Sequence, residues 1–181
     1  MNTIQTPRLL LRAWNEEDIA PFLSMNQDPK VMEFIPALWT VDTVVHFIQC
    51  MNAQLIEKNY TLWAVEEKST KHFMGFIGLN SPAWQAHFTP CVEIGWRLAY
   101  AFWGKGYATE GARAVREYAF QKLKLEELVA FTVPDNIRSQ RVMEKLGMIR
   151  DEKGDFLHPK IDPVNSLAKH YLFRIAHSKT Q

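Results

Sequence analysis

Disulfide scaffolding, membrane spans and a strong net charge are all missing from this chain. Its two cysteines, Cys50 and Cys91, sit in apolar surroundings without a CxxC pair, which predicts reduced core thiols and an intracellular protein. The opening MNTIQTPRLLLRAW holds only a three-leucine run before Arg12. That run is too short for a signal-peptide core, and no window approaches the length of a membrane-spanning helix. Lysine and arginine number 21 against 20 acidic residues, for a net charge of +1, so no overall field draws the protein to nucleic acid or to a membrane. The six histidines are scattered without metal-ligand spacing, and no metal is expected. Repeats, low-complexity tracts and linkers are absent as well. What remains is 181 residues, 47% of them hydrophobic. That is enough to bury a core without disulfides or metals, and it is read as one cytoplasmic domain over 1–181.

The apolar pattern predicts the order β-α-α-β-β-β-α-β-α-β-β. RLLLRAW reads as a first strand. Asn15, followed by Glu16, Glu17 and Asp18, reads as a helix start with acids in its first turn. After the candidate cap Thr40, Val41, Val44, Val45, Ile48, Met51 and Leu55 recur at helical spacing. Between these helices, DPKVMEFIPALW is aromatic and broken by proline, which suits a loop over a cleft. Strands are predicted at Tyr60–Glu66, His72–Leu79 and Cys91–Ala99. A helix then buries Ala108, Ala112, Val115, Ala119 and Leu123, with Glu110, Arg113 and Glu117 pairing on its outer face. Another strand, Leu128–Val133, leads to a short helix capped by Gly147, and strands near Met148–Asp151 and Leu167–Ile175 close the chain. Three consecutive strands before the glycine-rich turn argue against a doubly wound parallel sheet. The fold class is therefore α+β (mixed α/β), with a mixed, mostly antiparallel sheet flanked by helices.

Three stretches carry chemistry. The first is WGKGYATEG, where Gly104 and Gly106 flank Lys105 ahead of a helix. Such a turn either cradles a phosphate on unpaired helix N–H groups or is a tight strand-to-helix connection without a ligand. It is no Walker loop, because Lys105 is followed by Gly106, and no dinucleotide fingerprint, because position 109 is Thr109. The second is CVEIGWRLA. Strand alternation puts Cys91, Glu93, Gly95 and Arg97 on one face, and Val92, Ile94, Trp96 and Leu98 on the other. Glu93 is either a general base or the ion-pair partner of Arg97. The third is DNIRSQRVMEKLGM. Its helical spacing turns Ser139 inward with Val142, Met143 and Leu146, so the hydroxyl either bonds back to the helix or points into a site. Asn136 is a helix cap or a ligand contact. Phe34, Trp39 and Trp84 lie in loops and either line an acceptor pocket or pack. His158 borders the acceptor site or lies on the surface, and Arg138 and Arg141 reach a phosphate or water.

TPRLLLRAW, EIGWRL, FWGKGYATEG and NIRSQRVMEKLGM occur in an order and spacing that span nearly the whole chain. On them the sequence resembles the GNAT N-acetyltransferases, in particular the RimJ/RimL-type ribosomal-protein N-acetyltransferases. The resemblance implies a GNAT fold, in which a splayed sheet of about seven strands flanked by about four helices opens around acetyl-CoA. It implies that the pantetheine arm pairs with the Glu93–Leu98 strand, through Ile94, Trp96, Arg97 and Leu98. The pyrophosphate is expected on the amides of Trp103, Gly104, Lys105, Gly106, Tyr107, Ala108 and Thr109. Of the family signature Arg/Gln-x-x-Gly-x-Gly/Ala, Gly106 and Ala108 match, whereas Trp103 departs from it. Asn136 would contact pantetheine, Glu93 matches the candidate base, and Ser139 stands in as general acid because Met143 occupies the usual tyrosine position. The implied activity is acetyl transfer from acetyl-CoA to a primary amine, such as a protein N-terminal α-amine. Alternatives are a small-molecule acetyltransferase for polyamines, antibiotics or amino acids, and a non-catalytic acyl-CoA sensor. The expected partners are the amine acceptor and, at most, a second copy in a homodimer, with no membrane or nucleic acid.

Overall fold

Alternation in the first strand sets the sheet: Leu9 and Leu11 are buried, while Leu10 and Arg12 are partly exposed. In the computed structural model, which describes residues 3–177, this strand is β2 (Leu9–Arg12), and it folds back on a short β1 (Ile4–Gln5). Arg12 then reaches over the following turn to Asp18, with two nitrogen–oxygen contacts of 2.8 and 2.9 Å, and to Glu66 at 3.2 Å. Asn15 and Asp18 cap each other reciprocally. They start a 3-10 turn (Glu16–Asp18) that runs into helix α1 (Ile19–Met25).

Asp28, with Pro29 in the first turn, starts a four-residue helix α2 (Pro29–Met32) within the stretch expected to be loop. Helix α3 (Val41–Lys58) follows the predicted cap. Thr40 accepts from the Thr43 amide at 3.3 Å, and the Thr43 hydroxyl in turn accepts from the Thr40 amide at 2.8 Å. Val44, Ile48, Met51 and Leu55 form its buried stripe, and the helix stops at Asn59 in the left-handed conformation. Replacing Thr40 by alanine is expected to cost about 1 kcal/mol, read as a melting temperature lower by about 3 °C.

Strands β3 (Leu62–Glu67), β4 (Phe73–Asn80) and β5 (Glu93–Leu98) come next. A 3-10 turn (Tyr100–Phe102) then leads to helix α4 (Tyr107–Gln121), β6 (Glu127–Thr132), helix α5 (Ile137–Lys145), β7 (Ile149–Leu157) and β8 (Lys169–Ala176). The strands make one eight-stranded sheet in the order β1-β2-β3-β4-β5-β6-β8-β7. Every pairing is antiparallel except β5–β6. One face packs Ile77, Ile94 and Leu128 against Ala112, Val115 and Ala119 of α4 and Met143 of α5. The other carries two separate clusters. Trp14, Phe22, Val44 and Phe76 lie under α1 and α3, while Phe88, Val129 and Leu172 lie beneath the loop between β4 and β5.

The mostly antiparallel mixed sheet is as expected. The additions are β1, of two residues, and α2, of four, both too short for a periodic signal. β7 also runs past Asp151 to Leu157, because a register shift between Asp151 and Phe156 interrupts its alternation. Other expectations are corrected. Cys50 is exposed, beside His46 at 3.5 Å, so it is no core thiol. Glu110 does not pair along its own helix; its carboxylate binds Arg8 at 2.6 Å and Thr6 at 2.6 Å. Arg113 donates to the carbonyl of Lys145.

Candidate active site

The parallel pair β5–β6 is joined at a single register position, Glu93 opposite Val129, with the Val129 amide donating to the Val92 carbonyl at 3.0 Å. Beyond it the two strands part. On its other side β5 stays paired with β4 throughout, from Asn80 opposite Glu93 to Gly75 opposite Leu98. Because the Val92 carbonyl faces β6, strand alternation aims the N–H and C=O groups of Ile94, Trp96 and Leu98 into the gap, and those of Gly95 and Arg97 toward β4. The Leu98 carbonyl is already taken by the Trp103 indole N–H at 2.7 Å. The Ile94 N–H is used in the pairing with β6 at Val129, so the Ile94 carbonyl, both backbone groups of Trp96 and the Leu98 N–H are the ones that face the opening.

Side chains sort by the same alternation. Ile94 and Leu98 are buried toward α4, with Trp96 packed against that cluster. Glu93, Gly95 and Arg97 point to the other face. Glu93 and Arg97 form no ion pair. The Glu93 carboxylate accepts a hydrogen bond from the Asn80 amide at 3.4 Å. Enclosure by protein pushes its pKa up to about 7, with the Asn80 bond pulling weakly the other way. A Cβ on Gly95 would come no closer than 3.7 Å to any neighbour, the nearest being the Glu93 carboxylate, so the floor beside Glu93 is open. Arg97 instead donates to the buried Asn26 at 2.5 Å, and its guanidinium lies 5.3 Å from the ring centres of both Trp39 and Phe76.

At the far end of β5 the chain turns through Gly104 and Gly106, with φ of 73° and 82°. Only glycine adopts these values without strain. Helix α4 starts at Tyr107 with no side-chain cap, so its first amides are left for an outside acceptor. A pyrophosphate fits that cradle. Its surroundings add a cation that the sequence pattern did not disclose. Arg8, from the strand edge, donates to the Lys105 carbonyl at 3.0 Å and lies 4.2 Å over the Tyr107 ring. Tyr107 itself is buried, and its hydroxyl donates to Glu67. Of its polar groups, only the amide is aimed at the turn. Ala108 and Thr109 are half-buried in the same first turn.

Across the opening, Asn136 caps α5, its side-chain oxygen accepting from the Ser139 amide at 3.2 Å. Ser139 is half-buried in the first turn of that helix. Arg138 pairs with Glu33 at 2.6 Å and covers the Trp103 ring at 4.6 Å, so it links the two arms of the opening. His158 is half-buried. It packs 5.0 Å from Trp84 and 5.2 Å from His170, and burial together with that neighbour lowers its pKa to about 4. Trp84 belongs to the same aromatic cluster. Two surface hollows, of about 560 Å³ beside Trp14 and Gln49 and about 320 Å³ beside Pro21 and Tyr100, touch neither Glu93 nor Ser139. No group of metal-binding side chains occurs among the described residues, and no described helix is long and apolar enough to cross a membrane.

The model of the acetyltransferase (GNAT) domain family matches residues 8–149, a stretch that runs from Arg8 through the glycine turn to the start of β7. The chain belongs to the GNAT acetyltransferases. A Bacillus subtilis relative named as an uncharacterized N-acetyltransferase, YnaD, is 31% identical over 151 residues, which are 82% of this chain and 83% of that protein. The crystal structure of a GNAT-family acetyltransferase from Bacillus anthracis superposes with a TM-score of 0.78 at 28% identity, over 97% of this chain and 98% of that one. A RimL ribosomal-protein α-N-acetyltransferase solved with coenzyme A superposes with a TM-score of 0.77. At 13% identity, over 97% and 98% of the two chains, that likeness concerns the fold. This GNAT protein is thus an acetyl-CoA-dependent N-acetyltransferase, with its sheet splayed at β5–β6.

Proposed function

We propose that this acetyltransferase moves an acetyl group directly onto a primary amine that approaches the face of β5 bearing Glu93. The observation that carries the reading is the half-buried Glu93 carboxylate at the point where β5 and β6 part, with a pKa raised by desolvation to about 7. A carboxylate of that basicity is matched to removing a proton from an amine near neutral pH. Acetyl-CoA supplies the acyl group as a thioester, and the amine forms the new C–N bond as the C–S bond breaks. Glu93 takes the proton that the amine loses, directly or through one water. The Trp96 N–H polarises the acyl carbonyl from the open edge of β5, and the Ile94 and Trp96 carbonyls align the arm that carries it. The Ser139 hydroxyl donates a hydrogen bond to the departing thiolate, which takes its proton from solvent. Asn136 shapes this end of the site by fixing the first turn of α5. The amides of Gly104, Lys105, Gly106 and the first turn of α4, with Arg8 alongside, hold the pyrophosphate.

A protein N-terminal α-amine is the acceptor class proposed, by analogy with the α-N-protein acetyltransferase RimL, and the cytoplasm is the compartment proposed with it. The test is release of free thiol from acetyl-CoA with peptides bearing free N-termini, polyamines and single amino acids. Stoichiometric thiol and N-acetyl product support transfer, whereas acetyl-CoA binding without thiol release from any amine would make the protein an acyl-CoA sensor instead. Ser139→Ala is expected to lower kcat by ten- to a hundredfold while KM for acetyl-CoA stays within about twofold, because the hydroxyl acts on the leaving group after binding. An unchanged kcat would remove Ser139 from the mechanism.

A further inference from the structure

Arg97 is a cation set against protein without a counter-ion. Its guanidinium carries five N–H donors, and among the described residues it donates to Asn26 and pairs with no carboxylate. It lies between the Trp39 and Phe76 rings. Asn26 is itself fixed, since its amide donates to the Phe22 carbonyl at 2.8 Å where α1 ends. A second donor stands beside it: the Trp39 indole N–H is enclosed and has no hydrogen-bond partner. Trp39 is held edge-on by Phe22 and Phe47, at 5.3 and 5.6 Å, so its N–H cannot swing away to find another acceptor. Buried donors left unmade are costly, and a buried charge without a partner more so. A half-buried guanidinium without a counter-ion and an indole N–H without an acceptor, on a ring centred 5.3 Å from it, describe the complement of an anion. They lie on the face of β5 that bears Glu93, about 13 Å farther along the strand at ~3.3 Å per residue, with side-chain-free Gly95 between.

We propose that Arg97 and Trp39 bind a carboxylate of the acceptor, so that the substrate is a primary amine that also carries a carboxylate. The proposal rests on the acetyl-transfer reading, which puts the amine at Glu93. A single guanidinium and one indole N–H suit a planar monoanion. Desolvation lowers the Arg97 pKa to about 10, and among the described residues no second cation is recorded beside it to balance a phosphate dianion. Polyamines are disfavoured, because their remote ammonium groups would meet a fixed cation. The carboxylate belongs either to a free amino acid or to an acidic side chain at a peptide N-terminus, and the chemistry at Arg97 is the same.

The test compares acetyl-CoA thiol release for amino acids with that for their amides, and for peptides beginning Asp or Glu with that for the same peptides beginning Asn or Gln. The wild-type enzyme is expected to favour the carboxylate member of one of these series by about 30-fold or more in kcat/KM, as loss of a charge-assisted bond predicts. The series that shows it names the source. In Arg97→Gln the preference should fall below about threefold. In Trp39→Phe, which keeps a ring in place, it should fall several-fold. Equal rates within both series, or a wild-type preference for O-phosphoethanolamine over β-alanine, would overturn the assignment. The melting temperature in sodium N-acetylglycinate against N-acetylglycinamide gives a readout apart from turnover. A carboxylate-specific rise that Arg97→Gln abolishes, together with no thiol release from any amine, would keep the anion site and discard acetyl transfer. Acetylation without carboxylate preference would do the reverse. No rise and no turnover would discard both.

Discussion

Glu93→Gln is expected to lower kcat/KM by a hundredfold or more and to make the protein more stable. The first effect follows from general-base catalysis, which contributes roughly 10²–10⁴ in rate. In the wild-type enzyme the rate should rise with pH through about 7, where Glu93 loses its proton, and in the variant that limb should vanish. The second effect has the same physical cause. Enclosure raises the folded-state pKa from 4.5 to about 7, so between those values the folded protein holds a proton that the unfolded chain has released. Stability contributed at this position is therefore whole below pH 4.5, declines as pH rises, and is fully lost above 7. The deficit is up to about 3 kcal/mol. Glutamine carries no charge to desolvate. The melting temperature of Glu93→Gln should match the wild type at pH 4 and exceed it by several degrees at pH 8. A variant less stable at pH 8 would mean that the carboxylate is not desolvated. An unchanged rate and pH profile would mean that it is not the base.

Gly75→Ala should be among the most damaging single substitutions to stability. Gly75 lies opposite Leu98 where β3 and β4 shift register, with φ of 128°, a value that side-chain-bearing residues rarely adopt. A Cβ there would sit 2.1 Å from the Arg97 carbonyl oxygen and 2.9 Å from the Leu98 Cα. Both neighbours are backbone, so no rotamer change relieves the overlap. Strain and overlap together are expected to cost roughly 3–5 kcal/mol, a fall of about 10 °C or more in melting temperature. Gly95→Ala, whose Cβ would find ordinary contact distances, should stay within a few degrees of the wild type. Equal melting temperatures for the two variants would refute the argument. Whatever survives of Gly75→Ala must carry a displaced β5, so its defect should extend to Glu93 and Arg97, which that strand positions.

Much of the candidate site was legible along the chain, because it depends on features local in sequence. Two glycines before a helix, a glutamate within an alternating strand, and Asn136 three residues ahead of Ser139 each report on their own backbone. Arg8 and Asn80 were not legible. Arg8 lies far from Lys105 in sequence and meets it only because β2 runs past the start of α4. Asn80 reaches Glu93 through the β4–β5 register. The shared strand face of Glu93 and Arg97 left an ion pair open as one of two readings. At about 13 Å along an extended chain, they are too far apart for that, and the arginine turned to Asn26 instead.

By itself the sequence determined the order of the longer elements, the caps at Asn15 and Thr40, the glycine turn, and the family to which these motifs belong. Each of those rests on interactions between residues a few positions apart, which propensity and spacing encode directly. Only the tertiary structure decided that β5 and β6 join at one position and then diverge, that Glu93 is desolvated enough to hold its proton to about pH 7, and that Arg97, without a carboxylate partner, lies beside a Trp39 indole N–H without an acceptor. Enclosure and the lack of a partner are properties of everything that surrounds a group. They arise only when strands and helices distant in the chain have packed, and no local pattern carries them.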